Sequence, residues 1–144
     1  MNNKEILNAV SYTNHISVDS FIMLRESVGW GTSRPDRVKM ALERNDFLTV
    51  ARIDDREIGM ARVIHDGLQA LILDVCVLPE YQGRGIGKKL MEQVMDYLED
   101  TSQDGGLLVN LLAAHGKEGF YEPFGFENRP NENNGSGMTK FIGK

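Results

Sequence analysis

Only one cysteine, one tryptophan and four prolines occur among these 144 residues. The single thiol, Cys76, excludes an internal disulfide framework and fits a reducing compartment. No apolar run approaches the ~20 residues a membrane helix needs, and the polar opening Met1-Asn2-Asn3-Lys4-Glu5 is unlike a secretion signal. A cytoplasmic protein with no membrane partner is therefore expected. Positive charge is also scarce: 16 Lys and Arg against 21 Asp and Glu give a formal charge of −5. The basic residues are scattered, so no face is set up to follow a phosphate backbone, and nucleic acid is not an expected partner. Internal repeats and low-complexity tracts are missing. What is present, 41% hydrophobic and 26% charged residues, suits one globular domain over residues 1–144 that buries its own core without a metal.

Periodicity divides the chain into alternating elements. Residues 6–12 read as a first strand and residues 18–28 as a helix, with Val18, Phe21, Ile22, Leu24 and Val28 apolar. Pro35 suits the first turn of a second helix carrying Val38, Met40, Ala41 and Leu42. Residues 47–53 and 57–65 are strands joined by the hairpin signal Asp54-Asp55-Arg56, and Asp66-Gly67 turns the chain into a third strand over residues 69–77. Short turns between them imply an antiparallel meander. A helix follows, with Ile86, Leu90, Val94, Tyr97 and Leu98 in one stripe and Lys88, Lys89, Glu92, Asp96 and Glu99 facing water. Gln103-Asp104-Gly105-Gly106 ends it. A strand over residues 107–112, reached by this crossover, should run parallel to the strand at 69–77. A short helix near residues 117–123 and final strands near 126–129 and 138–142, separated by a flexible loop over residues 130–137, complete the reading.

The most specific segment is Gln82-Gly83-Arg84-Gly85-Ile86-Gly87, wedged between the strand at 69–77 and the long helix. A strand that runs into a glycine-rich turn opening a helix aims several backbone N–H groups at one spot, which favours an anion, usually phosphate. Two familiar phosphate loops do not fit. A P-loop needs Lys followed by Ser or Thr, and here Lys88 is followed by Lys89. The dinucleotide fingerprint needs G-x-G-x-x-G after an early strand, and Gly83, Gly85 and Gly87 have another spacing.

The pattern Q-x-x-G-x-G, preceded by Val77-Leu78-Pro79-Glu80-Tyr81, resembles the signature loop of the GCN5-related N-acetyltransferases, the GNAT superfamily, in particular its small stand-alone bacterial-type members. Downstream, Gly119-Phe120-Tyr121-Glu122-Pro123-Phe124-Gly125-Phe126 resembles the family's F-Y-x-x-x-G-F segment. The likeness covers roughly residues 45–142, and two motifs in this order are more specific than either alone. It implies an α/β fold with a mixed, mostly antiparallel sheet flanked by helices. It also implies a bulge at about residues 75–77 that splays this strand from its parallel neighbour, so that the pantetheine arm of acetyl-CoA enters the gap. Val75, Cys76 and Val77 are then the candidates for main-chain contacts to the co-substrate. Gln82, Gly83, Arg84, Gly85, Ile86, Gly87 and Lys88 would surround its pyrophosphate.

Acetyl transfer needs a neutral amine, a polarised carbonyl and a proton for the departing thiolate. An alkylamine of pKa about 10.4 must lose a proton before attack, and a thiolate near pKa 8.5 gains from a donor. Tyr121 matches the family tyrosine that faces the coenzyme sulfur and is the candidate acid; its alternative role is aromatic packing with Phe120, Phe124 and Phe126. Asp74 interrupts an apolar strand, where an unpaired buried carboxylate is costly. It could bind the amine, act as a base through water, or make a structural hydrogen bond. His65 reads as a capping or surface histidine and His115 as a solvated loop residue, each with a lesser case for proton exchange. Cys76 reads as a small buried hydrophobe, Met91 and Met95 as gap fillers, and Trp30 as an acceptor-site wall or a core contact. Two family features are missing. Ala114 stands where many relatives carry Asn, Val109 where some carry a catalytic Glu, and Asn110 nearby is out of register. Proton removal can then run through water to bulk solvent.

The expected function is an acetyl-CoA-dependent N-acetyltransferase acting on a primary amine of a small molecule, such as a polyamine, arylalkylamine or amino sugar, by direct attack in a ternary complex. Acetylation of a protein Nα or Lys amine, and a non-catalytic acyl-CoA-binding module, are the alternatives. A homodimer through the terminal strands is a further expectation from the resemblance.

Overall fold

The computed structural model describes residues 1–31, 33–102 and 105–143, in two compact units, residues 1–111 and 112–144. The first unit holds a five-stranded sheet in the order β1-β2-β3-β4-β5: β1 Ser11–Thr13, β2 Phe47–Ile53, β3 Arg56–His65, β4 Gln69–Val77 and β5 Leu108–Leu111. The first four strands pair antiparallel with their neighbours, and β5 pairs parallel with β4. The mixed α/β sheet expected from the sequence is thus present.

The hairpin between β2 and β3 turns on Asp54 (φ 49) and Asp55 (φ 62), the pair of left-handed residues that a two-residue primed turn requires. At the next turn, Asp66 Oδ1 accepts from the N–H groups of Leu68 and Gln69. These hydrogen bonds hold its carboxyl below the usual range, the bond from Gln69 foremost.

Helices cover both sheet faces. Helix α2 (Val18–Ser27) opens with Ser17 Oγ accepting from Ser20 N, buries Phe21 and Leu24, and contacts α3 (Pro35–Glu43), β3 and β4. Helix α4 (Ile86–Ser102) lies on β2, β3 and β4, burying Ile86, Leu90, Met91, Val94 and Leu98. Gly59 of β3 marks its close approach: an added Cβ there would stand 3.2 Å from Leu90 Cδ1 and 3.0 Å from the Cys76 carbonyl oxygen. Thr49, fully buried, donates from Oγ1 to Gln93 Oε1 of α4 at 2.5 Å. The stop at residues 103 and 104 lies outside the described residues, and α4 ends at Ser102.

Two expectations are corrected. Residues 6–12 are not one strand: α1 spans Asn3–Ala9, and only Ser11–Thr13 joins the sheet. An asparagine N-cap decides this. Asn2 Oδ1 accepts from Glu5 N, while Asn2 Nδ2 donates to Glu5 Oε1, both at 2.9 Å. In the second unit, no described residue after Leu111 forms a strand, so the segments at 126–129 and 138–142 are irregular. Side-chain bonds organise the intervening loop instead: Asn131 Oδ1 accepts from Asn133 N and Asn134 N, and Arg129 Nε donates to the Gly135 carbonyl. Met138, Phe141 and Ile142 stay exposed.

Candidate active site

In the first unit the site is assembled where β4 ends and α4 begins. On one side β4 pairs with β5 only from Gln69 to Ile72, so residues 73–77 have β3 as their sole strand neighbour among the described residues. Met60 pairs with Cys76 and Arg62 with Leu73, leaving Ala61 opposite both Asp74 and Val75. This is a β-bulge, centred a residue or so earlier than 75–77. Its first residue, Asp74, has φ 55, a left-handed conformation that bulges of this kind usually give to glycine and that Asp tolerates better than most side chains.

Beyond the bulge, Val77 leads through Leu78 into a 3-10 turn, Pro79–Tyr81. Gln82 follows, and its Nε2 donates to the Val77 carbonyl at 2.9 Å, tying the loop to the strand end. Gly83 (φ 75) and Gly85 (φ 88) then reverse the backbone into α4. The first helical bond at this end is Lys89 N to the Gly85 carbonyl. From Gly83 through Lys88, six consecutive N–H groups have no protein acceptor among the described residues. No heavy atom lies within 4 Å of a Cβ built on Gly83. Such an open row of amides at the N-terminus of a 17-residue helix fits a diphosphate in charge and in hydrogen-bonding capacity. Arg84 turns away: its Nη1 donates to Asn3 Oδ1 at 2.8 Å, so α1 leans on the loop, with Leu7 methyls near Gly85.

Asp74 is not a lone carboxylate. Its side chain is 6% exposed and both oxygens are engaged, Oδ1 by Arg25 Nη1 from α2 and Oδ2 by Arg62 Nε from β3 at 2.6 Å. Arg62 Nη1 also donates to Asn45 Oδ1. The Arg25 guanidinium lies 6.0 Å from the Phe21 ring centre and 5.5 Å from that of Trp30. Sequence reading missed both arginines. The available signal was Arg62, the lone charge in the apolar run Ile58-Gly59-Met60-Ala61 to Val63-Ile64, one cross-strand step from the carboxylate that needed a partner. Cys76 is buried and its thiol is pushed up to about 12, mainly by burial and further by the Asp74 charge, which leaves it no nucleophile at neutral pH.

Other candidates fall elsewhere. His65 pairs with Ala70, seven residues or about 23 Å along β4 from Val77. Its Nδ1 accepts from Gly67 N and its Nε2 bonds Tyr97 Oη at 2.9 Å, so it closes a turn. A cavity of about 660 Å³, lined by residues that include Asn14, His15, Lys39, Asp46 and Phe47, sits at the start of β2 and shares no residue with the loop. Among the described residues no group of three His, Cys, Asp or Glu is placed to hold a metal. Asn110 pairs with Leu71 within β5.

In the second unit, Tyr121 ends the short helix α5 (Glu118–Tyr121) and is 8% exposed. Phe120 meets its ring edge-on at 4.9 Å and Phe126 at 6.2 Å, an aromatic setting consistent with either of its two roles. His115 is exposed in the preceding turn.

An open row of amides after a bulged strand, on a mixed sheet with helices on both faces, defines an α/β protein with a loop whose charge and donors suit a phosphorylated ligand. A model of the acetyltransferase (GNAT) domain matches residues 44–128, more than half of the chain, and the protein belongs to that family. Among curated proteins it is similar to the uncharacterized N-acetyltransferase ycf52 of Gracilaria tenuistipitata var. liui, at 31% identity over 129 residues, spanning 84% of this chain and 68% of that one. A ycf52-like protein of Prochlorococcus marinus is 39% identical over 116 residues, 76% of this chain and 62% of its own. Among solved structures, a Staphylococcus aureus protein described as a probable acetyltransferase superposes with a TM-score of 0.83 at 29% identity, covering 92% of this chain and 99% of its own. The chain is an acetyltransferase, and acetyl-CoA is the family's usual acetyl donor.

Proposed function

We propose that the enzyme transfers the acetyl group of acetyl-CoA to a primary amine of a small molecule, by direct attack within a ternary complex. The observation that carries this reading is the row of six amides, residues 83–88, with no protein acceptor among the described residues, at the end of the strand that has no β5-side strand partner among them over residues 73–77. The amides take the pyrophosphate, and the main chain of Val75, Cys76 and Val77 takes the pantetheine arm. The amine nitrogen attacks the thioester carbon and the C–S bond breaks. Tyr121 gives its phenolic proton to the leaving sulfur, and the proton shed by the nitrogen returns through water. Asp74, with both oxygens held by arginines, acts in this scheme as a positioning residue for the acceptor side, not as a free base.

Isothermal calorimetry with acetyl-CoA, followed by a thiol-release assay across amines and peptides, tests the proposal. Heat of binding and CoA release with a simple amine are expected, and Tyr121→Phe should lower kcat while sparing acetyl-CoA affinity. Binding with no turnover for any acceptor would leave a coenzyme-binding module in its place. A second reading, protein acetylation, draws on a relative named histone acetyltransferase TAP1 of Glycine max, 41% identical over 120 residues. The preference for a small amine draws on a relative named serotonin N-acetyltransferase 2 of Oryza sativa, 30% identical over 108 residues. CoA release with peptides alone would select the former. A cytoplasmic location belongs to the same reading, although several plant relatives are named chloroplastic.

A further inference from the structure

The cluster around Asp74 is unbalanced. Two guanidinium groups, Arg25 and Arg62, share one carboxylate, which leaves one positive charge in excess. Nε and Nη2 of Arg25 and Nη2 of Arg62 have no protein acceptor among the described residues. No buried side-chain nitrogen or oxygen is left unsatisfied there, so these N–H groups reach solvent. The Arg25 side chain is 27% exposed and half-buried Trp30 stands beside it, while Arg62 is 14% exposed. Asp74 holds Nη1 of Arg25 and Nε of Arg62, Asn45 holds Nη1 of Arg62, and α2 anchors the stem of Arg25, so the Nε–Nη2 edge of Arg25 and the Nη2 group of Arg62 are pre-aimed; a preset guanidinium edge recognises a planar or tetrahedral anion by paired hydrogen bonds. The cluster begins one residue before Val75, at the bulge itself. The nearest other acid on β3, Glu57, is taken by Ser20 Oγ at 3.2 Å and by Arg52 at 4.0 Å, so it does not cancel the excess.

We infer that the acceptor amine carries an acidic group, carboxylate or phosphate, and that the free Nε–Nη2 edge of Arg25, with Nη2 of Arg62 beside it, holds that group while the amine faces the thioester. This rests on the acetyltransferase reading above and names its substrate class. A charge-assisted contact of this kind is worth about tenfold or more in specificity.

The test compares paired acceptors on the whole protein with saturating acetyl-CoA: phenylalanine with phenethylamine, and O-phosphoethanolamine with ethanolamine. The acidic member of at least one pair should show kcat/KM at least tenfold higher, carried by KM, and the phenylalanine or phosphate arm that wins identifies the anion. Arg25→Gln should bring that ratio to about one, and Arg25→Lys should restore part of it. On the unaltered protein, the amine-free analogue of the winning acceptor, 3-phenylpropionate or ethyl phosphate, should compete with it while the matching alcohol, 3-phenylpropanol or ethanol, does not, which keeps the result independent of variant folding. Equal or better use of the members without the acidic group, no turnover of any acidic member, or absence of competition by the winning acceptor's amine-free analogue overturns the inference. The acetyltransferase reading falls separately, if no amine of either kind is turned over.

Discussion

Gln82 Nε2 donates to the main-chain carbonyl of Val77 at 2.9 Å, so the first side chain of the glycine loop is fastened to the last residue of the bulged strand. The bond sets where the loop leaves the sheet and therefore where its amides converge. Gln82→Ala removes a hydrogen bond worth about 1 kcal/mol. Acetyl-CoA affinity by calorimetry should fall about fivefold, and Gln82→Glu should do worse, because a carboxylate cannot donate to the carbonyl and would repel the pyrophosphate.

Gly83 allows a clean test of backbone shape. Nothing lies within 4 Å of an added Cβ, so Gly83→Ala meets no neighbour and costs only the strain of φ 75, about 1 kcal/mol. The expected signature is a drop in acetyl-CoA affinity of several-fold with a melting temperature lowered by only a few degrees.

For Asp74, stability and catalysis separate. Asp74→Ala strips two partly buried arginines of their counter-charge and should cost about 3 kcal/mol in urea unfolding, at the low end for buried pairs because Arg25 is partly exposed. Asp74→Asn keeps an acceptor oxygen and tolerates φ 55, so it should lose less stability and raise acceptor KM more than it lowers kcat. A kcat loss of a thousandfold in Asp74→Asn, with stability intact, would identify a general base instead.

How much of this was legible beforehand follows from the range of the forces involved. The bounds of β2 and β4 and the turn at Asp54 and Asp55 depend on neighbours in sequence, and alternation plus turn chemistry located them. The glycine loop was legible for the same reason, since its function is carried by its own backbone. Residues 6–12 were misread because their apolar character outweighed the N-cap signal of Asn2 followed by Glu5, although those residues were there to see. Of the Asp74 partners, Arg62 had a signal that was overlooked, whereas Arg25 was not legible, because it lies 49 positions away and meets Asp74 only once α2 docks on the sheet. The irregular path after Leu111 was missed because β-branched and aromatic residues at 138–142 signal a strand only when a partner edge is available.

Cys76 makes a pH prediction. Its folded thiol sits at about 12 against an ordinary value of 9.0. The native state therefore keeps a proton that the unfolded chain has lost, and stability should fall as pH rises from about 9 toward 12. Chemical denaturation across that window should show the decline, and Cys76→Ala should flatten it. At pH 7.5 iodoacetamide should alkylate the thiol only after unfolding.

Asn3 and Arg84 touch across 81 positions of chain. A spectroscopic probe installed near the amino terminus would accordingly sense events at the glycine loop that it never contacts directly. The side-chain amide resonance of Asn3 offers such a reporter without any labelled cofactor, since a shift on titration would register occupancy from outside the pocket.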